Sequence, residues 1–141
     1  MFVRNRQSSR GLFFDVWRKY NVNAQLEPLE QLVLGVILEH PEYHHFLHDD
    51  ANTMELEFDP GSGKTNPFLH MGMHIAVKEQ VQTDRPAGIR KIFLSLCEAR
   101  QEQHEVEHEM MECLGSILWQ AQMNNQLPDE NLYMECIRKM G

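Results

Sequence analysis

The chain has 141 residues, which fits one domain and is long enough to bury a sizeable core. Apolar residues make up 42% and charged residues 24%, ordinary values that exclude disorder of the whole chain. The net charge of −8 argues against nucleic acid as the main partner, because a phosphate backbone needs a basic face. We therefore predict a single domain over residues 1–141, with a flexible arm at residues 1–7.

Helix signals dominate the first half of the chain, and strand signals are weak. Ser8 can cap a first helix that runs to about Tyr20. Pro28 suits the first turn of a second helix, and Pro41 ends or kinks that helix because proline lacks the amide proton. A short helical piece follows. Residues 49–65 are predicted to be a loop, since Asn, Asp, Pro, Gly and Ser cluster there.

The second half begins with a clear helix start. Asn66 followed by Pro67 supplies a cap and a proline in the first turn of a third helix, which is apolar almost all round. A fourth helix, the longest, is predicted over residues 88–124, and a last helix over residues 130–139 follows the break at Pro128. The predicted fold is all-α: a bundle of four main helices with additional short helices.

Cysteine usage and hydropathy bear on the cellular location. The three cysteines, Cys97, Cys113 and Cys136, include no C-x-x-C pair, which predicts free thiols in a reducing cytoplasm. No stretch approaches the roughly 20 apolar residues of a membrane span, and no signal-peptide pattern is present. We expect a cytoplasmic protein without a nucleic-acid or membrane partner. A homodimer and the physiological partner are left open.

Histidine is the compositional anomaly of this chain. Eight histidines are present, and six of them form three pairs four residues apart. Residues at that spacing lie on one face of a helix, so two imidazoles can reach one metal ion. Neutral imidazole is a ligand for zinc, nickel and iron, and helix bundles collect such ligands from facing helices. The pairs are His40/His44, His70/His74 and His104/His108.

The apolar faces of the helices rank these candidates. The first choice as metal ligands is the set His70, His74, His104 and His108, and His40 and then His44 come next. Four imidazoles would close a structural site around one divalent transition metal, whereas three would leave a position for water activation. The sequence does not decide between these two, nor does it identify the metal. His45 and His48 are expected at the surface.

Glu107 and Glu105 are the acidic candidates beside these histidines, either as a ligand or as a partner of one, and the position of Glu107 is the more telling. Glu107 falls inside the apolar stripe of the fourth helix, where an unpaired carboxylate is costly. We therefore predict that it binds the metal or orients a histidine ligand.

Two other functions are consistent with the same residues. The segment from His104 to His108 matches the H-E-x-x-H pattern of zinc peptidases, in which Glu105 would activate water. The charge of Glu107, the absence of an upstream strand and the lack of an obvious third ligand weaken that match. The other alternative is a non-catalytic protein-interaction domain, whose histidines are ordinary core and surface residues.

Three blocks of the sequence carry a family resemblance: His40-Pro41-Glu42-Tyr43-His44, the run from Asn66 to His74, and the run from His104 to Trp119. They resemble a bacterial family known only as domain of unknown function 1841, and the similarity extends from Phe14 to Tyr133. The resemblance implies a bacterial source and a cytoplasmic location but no activity.

The layout is also similar to hemerythrin-like and DinB-like bundles, in which histidines from several helices surround a metal. Hemerythrin-like sites add carboxylates that bridge two irons. Here Lys78 stands four residues after His74, and Glu79 falls on the opposite side of that helix. The resemblance therefore implies a mononuclear site dominated by histidine.

Overall fold

The computed structural model describes residues 6–48 and 66–141, and no strand occurs in these two ranges. The protein is all-α, as predicted. A 3-10 turn, Pro41–Tyr43, connects the second and third helices. Within the described ranges the helices are α1 Arg6–Asn21, α2 Pro28–Glu39, α3 His44–Leu47, α4 Pro67–Thr83, α5 Ile89–Arg100, α6 Gln103–Met123 and α7 Glu130–Arg138.

Two predicted irregular segments fall largely outside the described residues. These are the loop at residues 49–65 and residues 1–5 of the arm, whereas Arg6 and Gln7 already belong to α1. Within the described ranges, none of the helices combines the length and the apolar character that a membrane span requires. The cytoplasmic location stays a prediction.

The chain divides into two compact units, Met1–Ile75 and Ala76–Gly141, with the boundary inside α4. The prediction of one domain built as a four-helix bundle stays a prediction.

The first unit packs α1 against α2. Its core is formed by buried apolar side chains of α1, α2, α3 and α4. At the solvent side, Lys19 Nζ lies 2.6 Å from Glu30 Oε2 and joins the two helices. The start of α2 is fixed by a capping box, in which the Glu27 amide donates to Glu30 Oε1 at 2.9 Å, and by Pro28 in the first turn. The core residues are Phe13, Phe14, Val16, Trp17, Val33, Val36, Ile37, Leu47, Phe68, Met71 and Ile75.

Two predicted helix boundaries of the first unit are confirmed. The second helix ends at Glu39, directly before His40 and Pro41. At the start of α4, Asn66 Oδ1 accepts hydrogen bonds from the amides of Phe68 (3.0 Å) and Leu69 (3.2 Å). This cap satisfies amides that have no partner inside the helix.

Aspartate side chains cap two helix starts of the second unit, those of α5 and α7. Asp84 Oδ1 accepts from the amides of Gly88 (3.1 Å) and Arg90 (3.0 Å) before α5. Gly88 has a φ of 95°, which a residue with a Cβ rarely adopts. Before α7, the side chain of Asp129 accepts from the amides of Asn131 (2.9 Å) and Leu132 (3.3 Å).

The prediction of one long helix over residues 88–124 is wrong. Gln101 adopts a left-handed conformation with a φ of 59°, and its amide donates to the Cys97 carbonyl at 2.7 Å, which ends α5. The next helix begins at Gln103. The polar run Arg100-Gln101-Glu102-Gln103 has no apolar side chain to bury, so packing does not hold it helical.

The prediction of three free thiols is also wrong. Cys113 of α6 and Cys136 of α7 form a disulfide, with their Cα atoms 5.9 Å apart. Cys97 is free and half-buried. The pairing joins two different helices, and a search for closely spaced cysteines could not reveal it.

Candidate metal centre

Two buried imidazoles face each other in the first unit. His40 follows the last residue of α2, where the turn at Pro41 fixes its position, and His74 lies near the middle of α4. They are 1% and 0% exposed. Nε2 of His40 and Nδ1 of His74 are 3.1 Å apart. The sequence predicted both as inward-facing candidates but gave no distance between them.

A carboxylate lies behind each of these imidazoles. Glu42 Oε2 is 3.1 Å from Nδ1 of His40, within hydrogen-bond length. Glu39 Oε2 is 4.0 Å from Nε2 of His74, beyond a hydrogen bond but close enough for electrostatic attraction. Neither glutamate was among the sequence candidates. The signal was their position on either side of His40, in Glu39-His40-Pro41-Glu42.

The charge state of Glu42 fixes the tautomer of His40. Burial raises the pKa of Glu42, but hydrogen bonds from its own backbone and from His40 outweigh this, so its pKa lies below the usual value. An ionised Glu42 only accepts, so Nδ1 of His40 donates the proton. In neutral His40, the lone pair of Nε2 then points towards His74.

A third histidine of the first unit packs beside this pair. The rings of His40 and His70 meet edge to face, with centroids 4.8 Å apart. Tyr43 stacks on His40 at 5.5 Å and contacts the edge of His70 at 5.8 Å. Burial and the charge of Glu42 raise the pKa of Tyr43, which keeps its hydroxyl protonated. We call His40, His70 and His74 the imidazole cluster.

His44 has a different environment from the imidazole cluster. Its Nε2 donates to the carbonyl of Ile37 at 2.8 Å, and its ring packs on Trp17 with centroids 4.6 Å apart. These contacts attach the 3-10 turn and α3 to the core. His45 and His48 are exposed, as predicted.

The remaining predicted histidine pair belongs to the second unit. The rings of His104 and His108 lie side by side on α6, with centroids 4.1 Å apart, as their spacing predicted. His104 is exposed, His108 is half-buried, and Glu105 is exposed. The prediction that this pair binds the same ion as His70 and His74 stays a prediction.

Glu107 is 3% exposed and has partners within the second unit. Its Oε2 lies 3.2 Å from Lys78 Nζ and 3.2 Å from Gln103 Nε2. A buried carboxylate is tolerated when it is paired and hydrogen-bonded, so the ion pair accounts for its burial. The sequence had treated Lys78 only as a departure from a di-iron pattern.

The spacing in the imidazole cluster suits a metal ion. Two nitrogens bound to one tetrahedral zinc, with bonds of 2.0–2.1 Å, are separated by about 3.3 Å. The inner nitrogens of His40 and His74 are 3.1 Å apart, within a few tenths of an ångström of that edge. A carboxylate hydrogen-bonded to the outer nitrogen is the usual support of a ligating histidine.

Comparison with known proteins adds a family but no activity. A family model described as a domain of unknown function (DUF1841) matches residues 5–139. No curated protein and no solved structure matches the chain.

Proposed function

We propose that this chain, which belongs to the DUF1841 family of unknown function, binds one divalent transition metal ion at the imidazole cluster. Zinc, nickel and iron are the candidate metals. The observation that carries the proposal is the 3.1 Å separation of two ring nitrogens on imidazoles that are almost wholly buried. Family membership supports neither this function nor another.

The protons of the pair leave an acceptor for a metal ion at its centre. When Nδ1 of His40 donates to Glu42, its Nε2 presents a lone pair to Nδ1 of His74. Without a metal ion, Nδ1 of His74 donates its own proton to that lone pair. Binding of a metal would displace that proton, as it does at other histidine sites.

The ligand set that we propose starts with His40 and His74. His70, a ligand predicted from the sequence, is the third member, since its ring lies next to that of His40. Glu39 is an outer carboxylate, with its Oε2 4.0 Å from Nε2 of His74. His104 and His108 remain ligands predicted from the sequence alone. The number of imidazoles bound would decide between a structural and an open site.

Metal analysis of untagged protein tests this proposal. The protein is stripped with a chelator, dialysed, incubated with zinc, nickel or ferrous ion under argon, and analysed for bound metal by mass spectrometry. We expect about one ion per chain in the wild type and its loss in His40→Ala and His74→Ala. His45→Ala is the matched control, because it removes an exposed imidazole close by in the chain.

Two outcomes would contradict the proposal. One is a wild type that binds no metal and keeps its stability when metal is added. The other is a folded His74→Ala variant, checked by circular dichroism, that retains one ion with wild-type affinity. His108→Ala is measured in the same series, and loss of the ion there would support the prediction that the second pair takes part.

Exposed apolar residues favour the interaction domain as a second candidate. Along the C-terminal half of α6 and beyond it, Leu118 is 41%, Trp119 62%, Met123 65% and Leu127 89% exposed. Trp119 and Met123 are four residues apart and therefore share one face of α6, and large apolar side chains exposed on one face are typical of protein-binding surfaces. A metal-free protein of unchanged stability would favour this function.

The zinc hydrolase is the remaining alternative. It predicts that Glu105→Gln abolishes hydrolysis of a peptide substrate while the metal stays bound. A wild type that cleaves no peptide would remove it.

A further inference from the structure

A cavity of about 240 Å³ lies directly beside the disulfide of the second unit. Its wall contains both cysteines of the bond together with charged side chains from α6 and from the end of α7. The lining residues are Glu109, Glu112, Cys113, Cys136, Lys139 and Met140. A reagent in this cavity is therefore next to the sulfur–sulfur bond.

The two cysteines differ in their access to solvent. Cys113 is 5% exposed, whereas Cys136 is half-buried. Lys139 follows Cys136 by three residues, so both lie on the same face of the chain at the end of α7, and Lys139 also lines the cavity. Of the two glutamates in the wall, Glu109 is paired with Arg100. The positive charge of Lys139 on the Cys136 side therefore offsets the negative charge of Glu112 when a thiolate approaches.

We propose that Cys136 is a thiol–disulfide exchange site, at which small thiols open the Cys113–Cys136 bond and small disulfides close it in the folded protein. A thiolate attacks Sγ of Cys136 and forms a mixed disulfide there, and the electron pair of the broken bond goes to Sγ of Cys113. A second thiolate attacks the reagent's sulfur in this mixed disulfide, the bond to Cys136 breaks, and its electron pair goes to Sγ of Cys136. The two small thiols leave as their disulfide, and the reverse sequence with that disulfide closes the bond. On opening, the chain gains two electrons, and both of its thiolates take protons from water according to their pKa.

Other contacts hold α7 in place when the bond opens. The side chains of Tyr133, Met134 and Ile137 are buried, and the hydroxyl of Tyr133 donates to Gln80 Oε1 at 2.5 Å. Arg100 donates to the carbonyl of Met140 just beyond the helix. The bond can therefore be reduced while the unit stays folded, which distinguishes an exchangeable bond from one that reacts only after unfolding.

Alkylation followed by intact mass spectrometry tests the proposal on the full chain. Without reductant, unfolded protein treated with iodoacetamide should gain one adduct, on Cys97. Native protein that is treated with dithiothreitol and then with iodoacetamide should gain two adducts in addition to any on Cys97, one on Cys113 and one on Cys136. The circular dichroism of the reduced protein should equal that of the untreated protein. Cys97 is the internal control, since burial and the charge of Glu107 raise its pKa and keep it a slowly reacting thiol.

Single variants identify the cysteine that is attacked. Cys113→Ser leaves Cys136 as the acceptor for oxidised glutathione, and Cys136→Ser leaves Cys113. We expect the mixed disulfide to form about tenfold faster on Cys136 because the other sulfur is buried. Three adducts on the unfolded, unreduced protein would overturn the proposal. So would a bond that dithiothreitol opens only in denaturant, or equal rates in the two variants.

Discussion

Replacement of Glu42 by Gln tests how the imidazole cluster is prepared for a metal ion. The change keeps the size of the side chain and removes the charge that accepts the proton of His40 Nδ1. Outer carboxylates of this kind contribute about 10–100-fold to metal affinity. The side chain of Glu42 is 59% exposed, so water screens it and the effect should fall at the lower end. We expect the dissociation constant for zinc to be about tenfold larger than in the wild type, which corresponds to a loss of about 1.4 kcal/mol of binding free energy.

A competition titration against a chromophoric zinc chelator measures this change. Wild type, Glu42→Gln and Glu39→Gln are compared at equal ionic strength, with circular dichroism to check the fold. Glu39→Gln should have a smaller effect as an outer carboxylate, because its oxygen is 4.0 Å from His74; a larger loss would indicate that Glu39 is a ligand. If Glu42→Gln binds zinc as tightly as wild type while His40→Ala does not bind, Glu42 does not prepare His40, and the tautomer argument is wrong.

Three further predictions concern stability, and urea or thermal unfolding measures each of them. Ile37→Ala removes a fully buried side chain and should lower the free energy of unfolding by about 2–5 kcal/mol; a loss below about 1 kcal/mol would contradict the packing described. The double variant Cys113→Ser/Cys136→Ser lacks the disulfide between residues 23 apart in the sequence, and its free energy of unfolding should be about 3 kcal/mol lower than that of the oxidised wild type. Dithiothreitol should abolish this difference, because it reduces the disulfide of the wild type. The hydrogen bond from Lys19 lowers the pKa of Glu30 from 4.5, so this pair stabilises the fold above that value and its contribution is lost as the pH falls through the lowered pKa. Lys19→Met should therefore be less stable than wild type near neutral pH and equal to it in acid, and a difference that persists in acid would contradict this.

The helix starts were predictable because their causes are local. Asn66 with Pro67, and Pro28 at the start of α2, act on amides within the same turn, so a short stretch of sequence contains the whole explanation. The break at Gln101 was not predictable in this way. No glycine or proline marks it, and it depends on which side chains of α5 and α6 find a core to pack against.

The site was predictable in part for the same reason. The apolar face of α2 indicated that His40 points inward, the apolar character of α4 indicated the same for His74, and both are buried. The pairing of Cys113 with Cys136 depends on which helices become neighbours, and so does the ion pair that explains Glu107. A periodic pattern shows which face of a helix is buried but not which residue lies opposite.

The balance of charge in the first unit favours a metal ion over a shared proton. Between them, Glu39 and Glu42 carry two negative charges, placed at the outer nitrogens of the two imidazoles. A hydrogen bond from Nδ1 of His74 to Nε2 of His40 adds no charge and leaves the two carboxylate charges unbalanced, whereas a divalent ion would bring the sum to zero. The imidazoles are buried, where an uncompensated charge is most costly, and both carboxylates reach solvent. This charge balance supports the proposed metal ion, because a divalent ion supplies two positive charges and a hydrogen bond between the imidazoles supplies none.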